Sequence, residues 1–352
     1  MKNLEKYRSI LSGEVQGLLL TSRYSRMYAA EFDIAEGYAI VSKNGARYFT
    51  DSRYIESAQN NIQGFEVIDF GGKLFDCLNT AISDFGITTL GFEDAYLTVA
   101  ELNLFREKLH AEFVPMQEKI NAFRASKEPW EIDRMIKAQE ITDRAFTEVC
   151  KRIKAGMTEK ELAAELIYCL YKNGGEGLSF DPIVVSGPNT SMPHGVPGDR
   201  KLQEGDFITL DFGVIYQGYC SDMTRTVALG YATDEMKKVY ETVLAAQLAG
   251  IAVSKAGVSG KAVDGAARDV ITKAGYGEYF SHSYGHSLGL EIHESPNCNT
   301  RNENPMPVGA VASAEPGIYI AGKFGVRIED VVIFEENGCR NITKSPKELL
   351  IL

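Results

Sequence analysis

The sequence predicts an α+β protein whose helices are separated by antiparallel hairpins, preceded by a smaller α/β domain. Two observations carry this expectation. Up to about Met116, strand-like runs such as VQGLLLTS and GYAIVS alternate with helical stretches such as RYIESAQNNI and KLFDCLNTAISDF. Beyond that point, long helices with apolar residues at helical spacing alternate with glycine-punctuated strand pairs. The division places one domain at 1–120 and a second at 121–352. A chain of 352 residues with 44% hydrophobic content is ample for both cores.

The helices of the second part announce themselves through their ends. Ser126 and Pro129 mark a start in SKEPWEIDRMIKAQEITDRAFTEVCKRI. A second helix begins near Thr158, where Thr-Glu-Lys-Glu forms a capping-box pattern, and stops at Gly174. A third is expected over 233–256, and a fourth follows Gly260. Between them, 207–214 and 219–227 read as strands joined by a turn around Tyr216, Gln217 and Gly218. A hairpin centred between Tyr216 and Gln217 puts Asp211 directly opposite Asp222. In GIYIAGKFGVRIED a hairpin centred on Gly322 brings Glu315 opposite Glu329.

Each hairpin thus pairs two acids on one face of a sheet. Repulsion between like charges selects against such pairs unless a cation or a shared proton relieves it, although exposed strand faces also carry acids. His286 lies in FSHSYGHSLGLEIHESP, which holds three of the five histidines of the chain. Together with Asp211, Asp222, Glu315 and Glu329 it makes four carboxylates and one imidazole. Their formal charge balances two divalent cations, which points to a dinuclear metal site and to hydrolysis as the first reaction class to consider. His194 lies in SGPNTSMPHGVPGDR, a loop rich in turn formers, where both a solvated and a reactive histidine are at home.

These stretches, GLSFDPIVVSGPNTSMPHG, GDFITLDFGVIYQGYCSDMTRT, HSYGHSLGLEIHE, AEPGIY and GVRIED, resemble the signature blocks of the proline-specific peptidases of the pita-bread fold, the aminopeptidase P and prolidase group. The resemblance covers roughly 123–352 and extends more weakly to TSRYSRMYAAEF and FTDSRYIESA, which are similar to that group's creatinase-like N-terminal domain. It implies a pita-bread catalytic domain in which Asp222 and Glu329 bridge two metal ions, Asp211 chelates one, and His286 and Glu315 hold the other. It further implies that Glu315 acts as general base and acid, that His194 and His293 assist at the scissile amide and the oxyanion, that His282 lines the proline pocket, and that Arg327 supports the site or contacts substrate. The substrate would be a proline-containing peptide, and the implied assembly is a homodimer. Oxygen-dominated ligands suit manganese, and cobalt, zinc or iron remain open.

Within the group, many dipeptide-specific prolidases carry an arginine shortly after the His-Glu pair. Here the stretch reads HESPNCNTR, with Asn297 at that position and Arg301 four residues on. This departure favours aminopeptidase P, with prolidase as the alternative. A noncatalytic binding module on the same fold is the rival of a different class, but relatives of that kind tend to lose ligands that this chain keeps.

The formal net charge of −11 argues against nucleic acid, which selects basic faces. Cysteines 77, 150, 169, 220, 298 and 339 are dispersed without CxxC spacing, the start MKNLEKYRSILSGEV lacks a signal-peptide core, and no apolar run reaches membrane-spanning length. A reduced cytoplasmic setting without membrane partners is the expectation. The DFG at 211–213 lacks the other kinase motifs, VSKAGVSGK lacks the first glycine of a phosphate loop, and His293-Glu294 lacks the second histidine of a zincin helix. His110, in the helical-looking ELNLFREKLHAEF, has no match in the family blocks and is expected at the surface.

Overall fold

The run around Leu18 forms β1 (Gly17–Leu20), whose Leu18, Leu19 and Leu20 are fully buried. A strand covered on both faces is apolar at every position rather than at alternate ones. The computed structural model describes residues 3–352, in two units whose described residues span 3–124 and 125–352. In the first, β1 joins β2 (Tyr38–Ser42), β3 (Ala46–Thr50), β4 (Glu66–Asp69), β5 (Thr89–Phe92) and β6 (Glu112–Pro115) in a mixed sheet of order β4-β3-β2-β1-β5-β6. Helices α1 (Asn3–Ser9), α2 (Arg23–Ala30), α3 (Ile55–Asn61), α4 (Leu74–Asp84), α5 (Val99–Lys108) and α6 (Gln117–Arg124) complete it, around a core that includes Leu19, Ile40, Leu78 and Leu90. His110 is exposed, and lies beyond α5 rather than on it because its backbone N–H donates to Asn79 Oδ1.

The second unit uses one plan twice. Helices α7 (Pro129–Cys150) and α8 (Glu159–Lys172) precede β7 (Gly177–Leu178), β8 (Ile183–Ser186), β9 (Phe207–Phe212), β10 (Val214–Tyr216), β11 (Tyr219–Cys220) and β12 (Met223–Ala228). Helices α9 (Asp234–Val253) and α10 (Gly260–Lys273) precede β13 (Gly285–Ser287), β14 (Glu294–Cys298), β15 (Val311–Ala314), β16 (Gly317–Ile320), β17 (Phe324–Arg327), β18 (Asp330–Glu335) and β19 (Gly338–Asn341). One sheet has the order β12-β9-β8, and the other contains the corresponding order β18-β15-β13 within β14-β13-β15-β18-β19. Each half has its own core, with Phe146, Leu166 and Leu210 in the first and Tyr240, Val263 and Val332 in the second.

Local chemistry explains the helix ends. α8 carries the expected capping box of Thr158 and Glu161. α7 is capped by Glu128 with Glu131 instead of by Ser126, whose hydroxyl donates to the carbonyl of Val308 at 2.7 Å. α9 stops at Val253, short of the expected Ala256, because the Ala256 N–H is taken by the carbonyl of Glu335.

The two acid hairpins differ in how they meet expectation. The first turns on Gln217 and Gly218, at φ 47° and 82°, one residue later than the sequence pattern suggests. A two-residue loop with both central residues left-handed matches the twist of the flanking strands. Asp211 therefore pairs with Thr224, and the expected direct opposition of Asp211 and Asp222 is corrected to a diagonal one. Moving a turn by one residue shifts each partner by two, so both acids stay on the same face. The second hairpin turns around Gly322 as expected. Gly317 pairs with Arg327 in β16–β17, and Ala314 pairs with Asp330 in β15–β18, in one continuous register. Glu315 and Glu329 fall opposite each other in the interruption between these ladders.

Candidate metal centre

Three of the four acids sit where the strands are interrupted, and the fourth, Asp211, is paired within a strand. Asp211 is near the end of β9, Asp222 immediately precedes β12, Glu315 immediately follows β15, and Glu329 immediately precedes β18. His286 is the middle residue of β13. The irregularity at Asp222 depends on Gly213, since a Cβ there would lie 2.0 Å from the carbonyl oxygen of Ser221 across the hairpin. Asp211, Asp222 and Glu329 are all buried.

Their surroundings are unfavourable for charge. Burial pushes the Asp222 carboxyl well above its usual range, and the charges of Asp211 and Glu315 push it further. Glu329 is raised in the same way by burial, then by Asp222, Glu315 and Asp211. Glu315 is raised chiefly by burial, against the opposing pull of His282 and Arg327. Burial also lowers His286 and keeps its imidazole neutral.

The donor geometry fits a cation. His286 Nδ1 lies 3.2 Å from the carbonyl of Ser287, a contact that only a protonated Nδ1 can use. Nε2 then presents a lone pair, yet it faces Glu315 Oε1 at 3.3 Å and Asp222 Oδ2 at 3.5 Å. Acceptors held against acceptors need a positive charge between them. One ligand atom each from Asp222, His286 and Glu329 lies within 4.8 Å of the other two, and Asp222 Oδ1 is buried without a hydrogen-bond partner. Asp211 and Glu315 stand outside that tightest group. Asp211 Oδ2 accepts from Arg327 Nη2, and Glu315 Oε1 accepts from Ser313 Oγ at 2.9 Å.

Every site residue named from the sequence lines one cavity of about 650 Å³, including His194, His282, His293 and Arg327. His194 is exposed at its rim, and its ring makes no hydrogen bond among the described residues. The His293 ring packs edge-on to that of His286, with centroids 4.4 Å apart. Burial and the neighbouring His286 both lower the His293 pKa.

Sequence reasoning missed three supporting residues. Tyr319 O–H donates to His282 Nε2 at 2.9 Å and accepts from Arg327 Nη1 at 2.7 Å, since His282 Nδ1 is committed to the carbonyl of Ser283 at 2.8 Å. Burial raises Tyr319 to about 12, so the phenol keeps its proton. Burial opposes the Arg327 charge, but Tyr319, Asp211, Glu315 and Glu329 outweigh it. Thr224 Oγ1 donates to Glu329 Oε2 at 2.7 Å and accepts from Arg327 Nε at 3.0 Å, while Ser313 holds Glu315. The two-residue strand period was the available signal: Thr224 follows Asp222 by two, Ser313 precedes Glu315 by two, and Tyr319 follows Glu315 by four. Cys220 and Cys298 are buried and raised to about 12 by that burial, so neither supplies a thiolate.

Comparison with known proteins agrees with this fold. Residues 133–336 match the model of metallopeptidase family M24, and residues 4–126 match that of the creatinase/prolidase N-terminal domain. An Xaa-Pro dipeptidase of Pyrococcus furiosus is 38% identical over 315 residues, 89% of each chain. The structure of an Xaa-Pro dipeptidase from Bacillus anthracis superposes with a TM-score of 0.96 at 42% identity, covering 100% of this chain and 99% of the other. That of an X-Pro aminopeptidase from Thermotoga maritima gives 0.94 at 37%, covering both chains in full. With both its catalytic unit and its N-terminal unit matched, the chain belongs to metallopeptidase family M24, in the pita-bread group of Xaa-Pro aminopeptidases and prolidases.

Proposed function

We propose that this metal-dependent peptidase is an Xaa-Pro dipeptidase, hydrolysing the bond between an N-terminal residue and a C-terminal proline. Asn297 alone favours the aminopeptidase reading, because it stands where an arginine would take the free carboxylate. The observation that carries the dipeptidase reading is the position of Arg301. It lines a cavity of about 540 Å³ that shares His282 and Ser283 with the main cleft, and its guanidinium has no ion pair among the described residues. A cation beside the wall proposed for the proline ring is suited to a dipeptide carboxylate. The names of the Pyrococcus furiosus and Bacillus anthracis relatives support the same choice, while that of the Thermotoga maritima protein supports the aminopeptidase.

Asp211, Asp222, His286, Glu315 and Glu329 would together hold two divalent cations. Oxygen-dominated ligands favour manganese. Such ions supply Lewis-acid activation of water and of the scissile carbonyl. Glu315, whose Oε1 is held by Ser313 Oγ at 2.9 Å, takes a proton from the attacking water and returns it to the proline nitrogen as that bond breaks. His293 donates to the developing oxyanion, and His194 contacts substrate beside the scissile amide. His282, held by Tyr319 and Ser283, forms part of the proline pocket. Arg327 holds Asp211 and Tyr319 in place.

Comparing Ala-Pro with Ala-Pro-Ala in the manganese-loaded enzyme and its Arg301→Ala variant tests the choice. The proposal expects preference for Ala-Pro and a KM for it raised roughly tenfold to hundredfold by the substitution, the scale of a lost charged hydrogen bond. Preference for the tripeptide with an unchanged KM in the variant would return the reading to aminopeptidase P. A homodimer is proposed on the family resemblance alone, and light scattering of the purified protein tests it. No helix among the described residues is long and apolar enough to cross a membrane.

A further inference from the structure

We propose that Glu159 is a positioning residue that fixes the loop carrying His194 by gripping both of its limbs with one carboxylate. The inference rests on the reading of His194 as a substrate contact. Glu159 opens α8, directly after the Thr158 cap, and is fully buried. Its Oε1 accepts from the outgoing limb: Ser186 N at 2.8 Å, Ser186 Oγ at 2.9 Å and Asn189 Nδ2 at 3.0 Å. Its Oε2 accepts from the returning limb, Gly198 N at 2.9 Å. Among the described residues no cation pairs with it, so four directed donors replace the water that the carboxylate loses. The start of α8 also holds the returning limb through its backbone, since Glu159 N donates to the carbonyl of Arg200 and Lys160 N to that of Gly198.

This arrangement matters because His194 has no anchor of its own. Its exposed ring makes no hydrogen bond among the described residues, so the loop backbone sets where it stands in the cavity. A buried carboxylate with no substrate contact, tied to both ends of a segment that bears a cleft histidine, is placed to act through that histidine. The geometry also states which substitution separates the two limbs. Glutamine keeps the shape of Glu159 but has one acceptor oxygen and one donor nitrogen, so it cannot accept from both limbs at once.

The test compares wild type, Glu159→Gln, His194→Ala and the double variant, all with full metal content. Hydrogen exchange read by mass spectrometry should quicken in peptides covering 187–198 of Glu159→Gln while α9 and α10 stay unchanged. Hydrolysis of Ala-Pro should slow by about tenfold or more, as expected for a misplaced contact, and Glu159→Gln should add no further loss in the His194→Ala background. If Glu159→Gln does not fold, Asn189→Ala removes one donor of the outgoing limb and should show the same non-additivity at smaller size. Unchanged exchange overturns the clamp, and losses that multiply with those of His194→Ala overturn His194 as its route. A wild-type enzyme that cleaves no Xaa-Pro bond would sink the functional reading by itself, and the exchange comparison would still decide the clamp.

Discussion

Glu315 and Glu329 face each other across a gap in a hairpin whose register is the same on both sides of the gap. Backbone pairing stops over 315–316 and 328–329, and Asp222 stands at the corresponding break before β12, diagonal to Asp211, which is still paired in the β9–β12 ladder. Both halves of the catalytic unit thus interrupt a ladder to turn carboxylates into one cavity. The repulsion within that cluster explains what a cation adds.

The cluster's demand for positive charge can be measured directly. Asp222→Asn replaces a carboxylate whose Oδ1 has no protein partner with a neutral amide. Elemental analysis after dialysis against manganese should show reduced metal content, with hydrolysis down more than about a hundredfold. Wild-type metal content in the variant would contradict the assignment of Asp222.

Protons and metal compete for the same oxygens, which gives a pH dependence with a definite sign. Asp222, Glu315 and Glu329 have raised pKa values in the folded protein, so it binds more protons than the unfolded chain above the ordinary carboxylate range. Their contribution to the stability of the metal-free protein is therefore greatest at low pH and is lost as pH rises through the raised values. Cations relieve the repulsion that replaces those protons. The melting-temperature gap between metal-loaded and metal-free protein should widen from about pH 5 to about pH 8. A gap that stays constant would contradict the raised values.

Tyr319→Phe isolates the missed hydroxyl. The change strips Arg327 Nη1 of its 2.7 Å acceptor and His282 Nε2 of its donor without altering any carboxylate. Metal content should stay at the wild-type level while kcat/KM falls roughly tenfold to hundredfold, the scale of a lost buried hydrogen bond to a charged group. An unchanged kcat/KM would remove Tyr319 from the site.

Behind the site, Arg225 spans the two hairpins. It donates to Asp330 Oδ1 at 2.7 Å and to the carbonyl of Glu329 at 2.5 Å, with both side chains of the ion pair buried. Asp330→Ala leaves that guanidinium uncompensated, although its carbonyl acceptors remain. Denaturant titration should show a loss of about 3–5 kcal/mol. A loss under about 1 kcal/mol, the scale of an exposed pair, would mean that the pair does not brace Glu329.

Much of this was legible in the residues, and the failures are instructive. The second hairpin could be read because Gly322 marks its turn unambiguously. The first was displaced because Gln217 adopts positive φ, a state for which the sequence offers glycine only at Gly218. The error kept the acids on the correct face, since a turn shift preserves strand parity. Tyr319, Thr224 and Ser313 lay on the same alternating positions as the acids, yet hydroxyls in strands have many uses and composition does not mark these three. The Glu159 clamp was invisible, because nothing in its capping box signals a side chain that reaches a distant loop.

In the proposed function, Asp211, Asp222, His286, Glu315 and Glu329 hold two cations that serve hydrolysis of an Xaa-Pro bond. Titrating metal-free protein with manganese while following release of proline from Ala-Pro tests it most directly. Activity should appear on titration and metal uptake should saturate at two equivalents, with Asp222→Asn failing in both. Full metal uptake without hydrolysis of Ala-Pro or Ala-Pro-Ala would contradict it and leave the fold serving as a binding module.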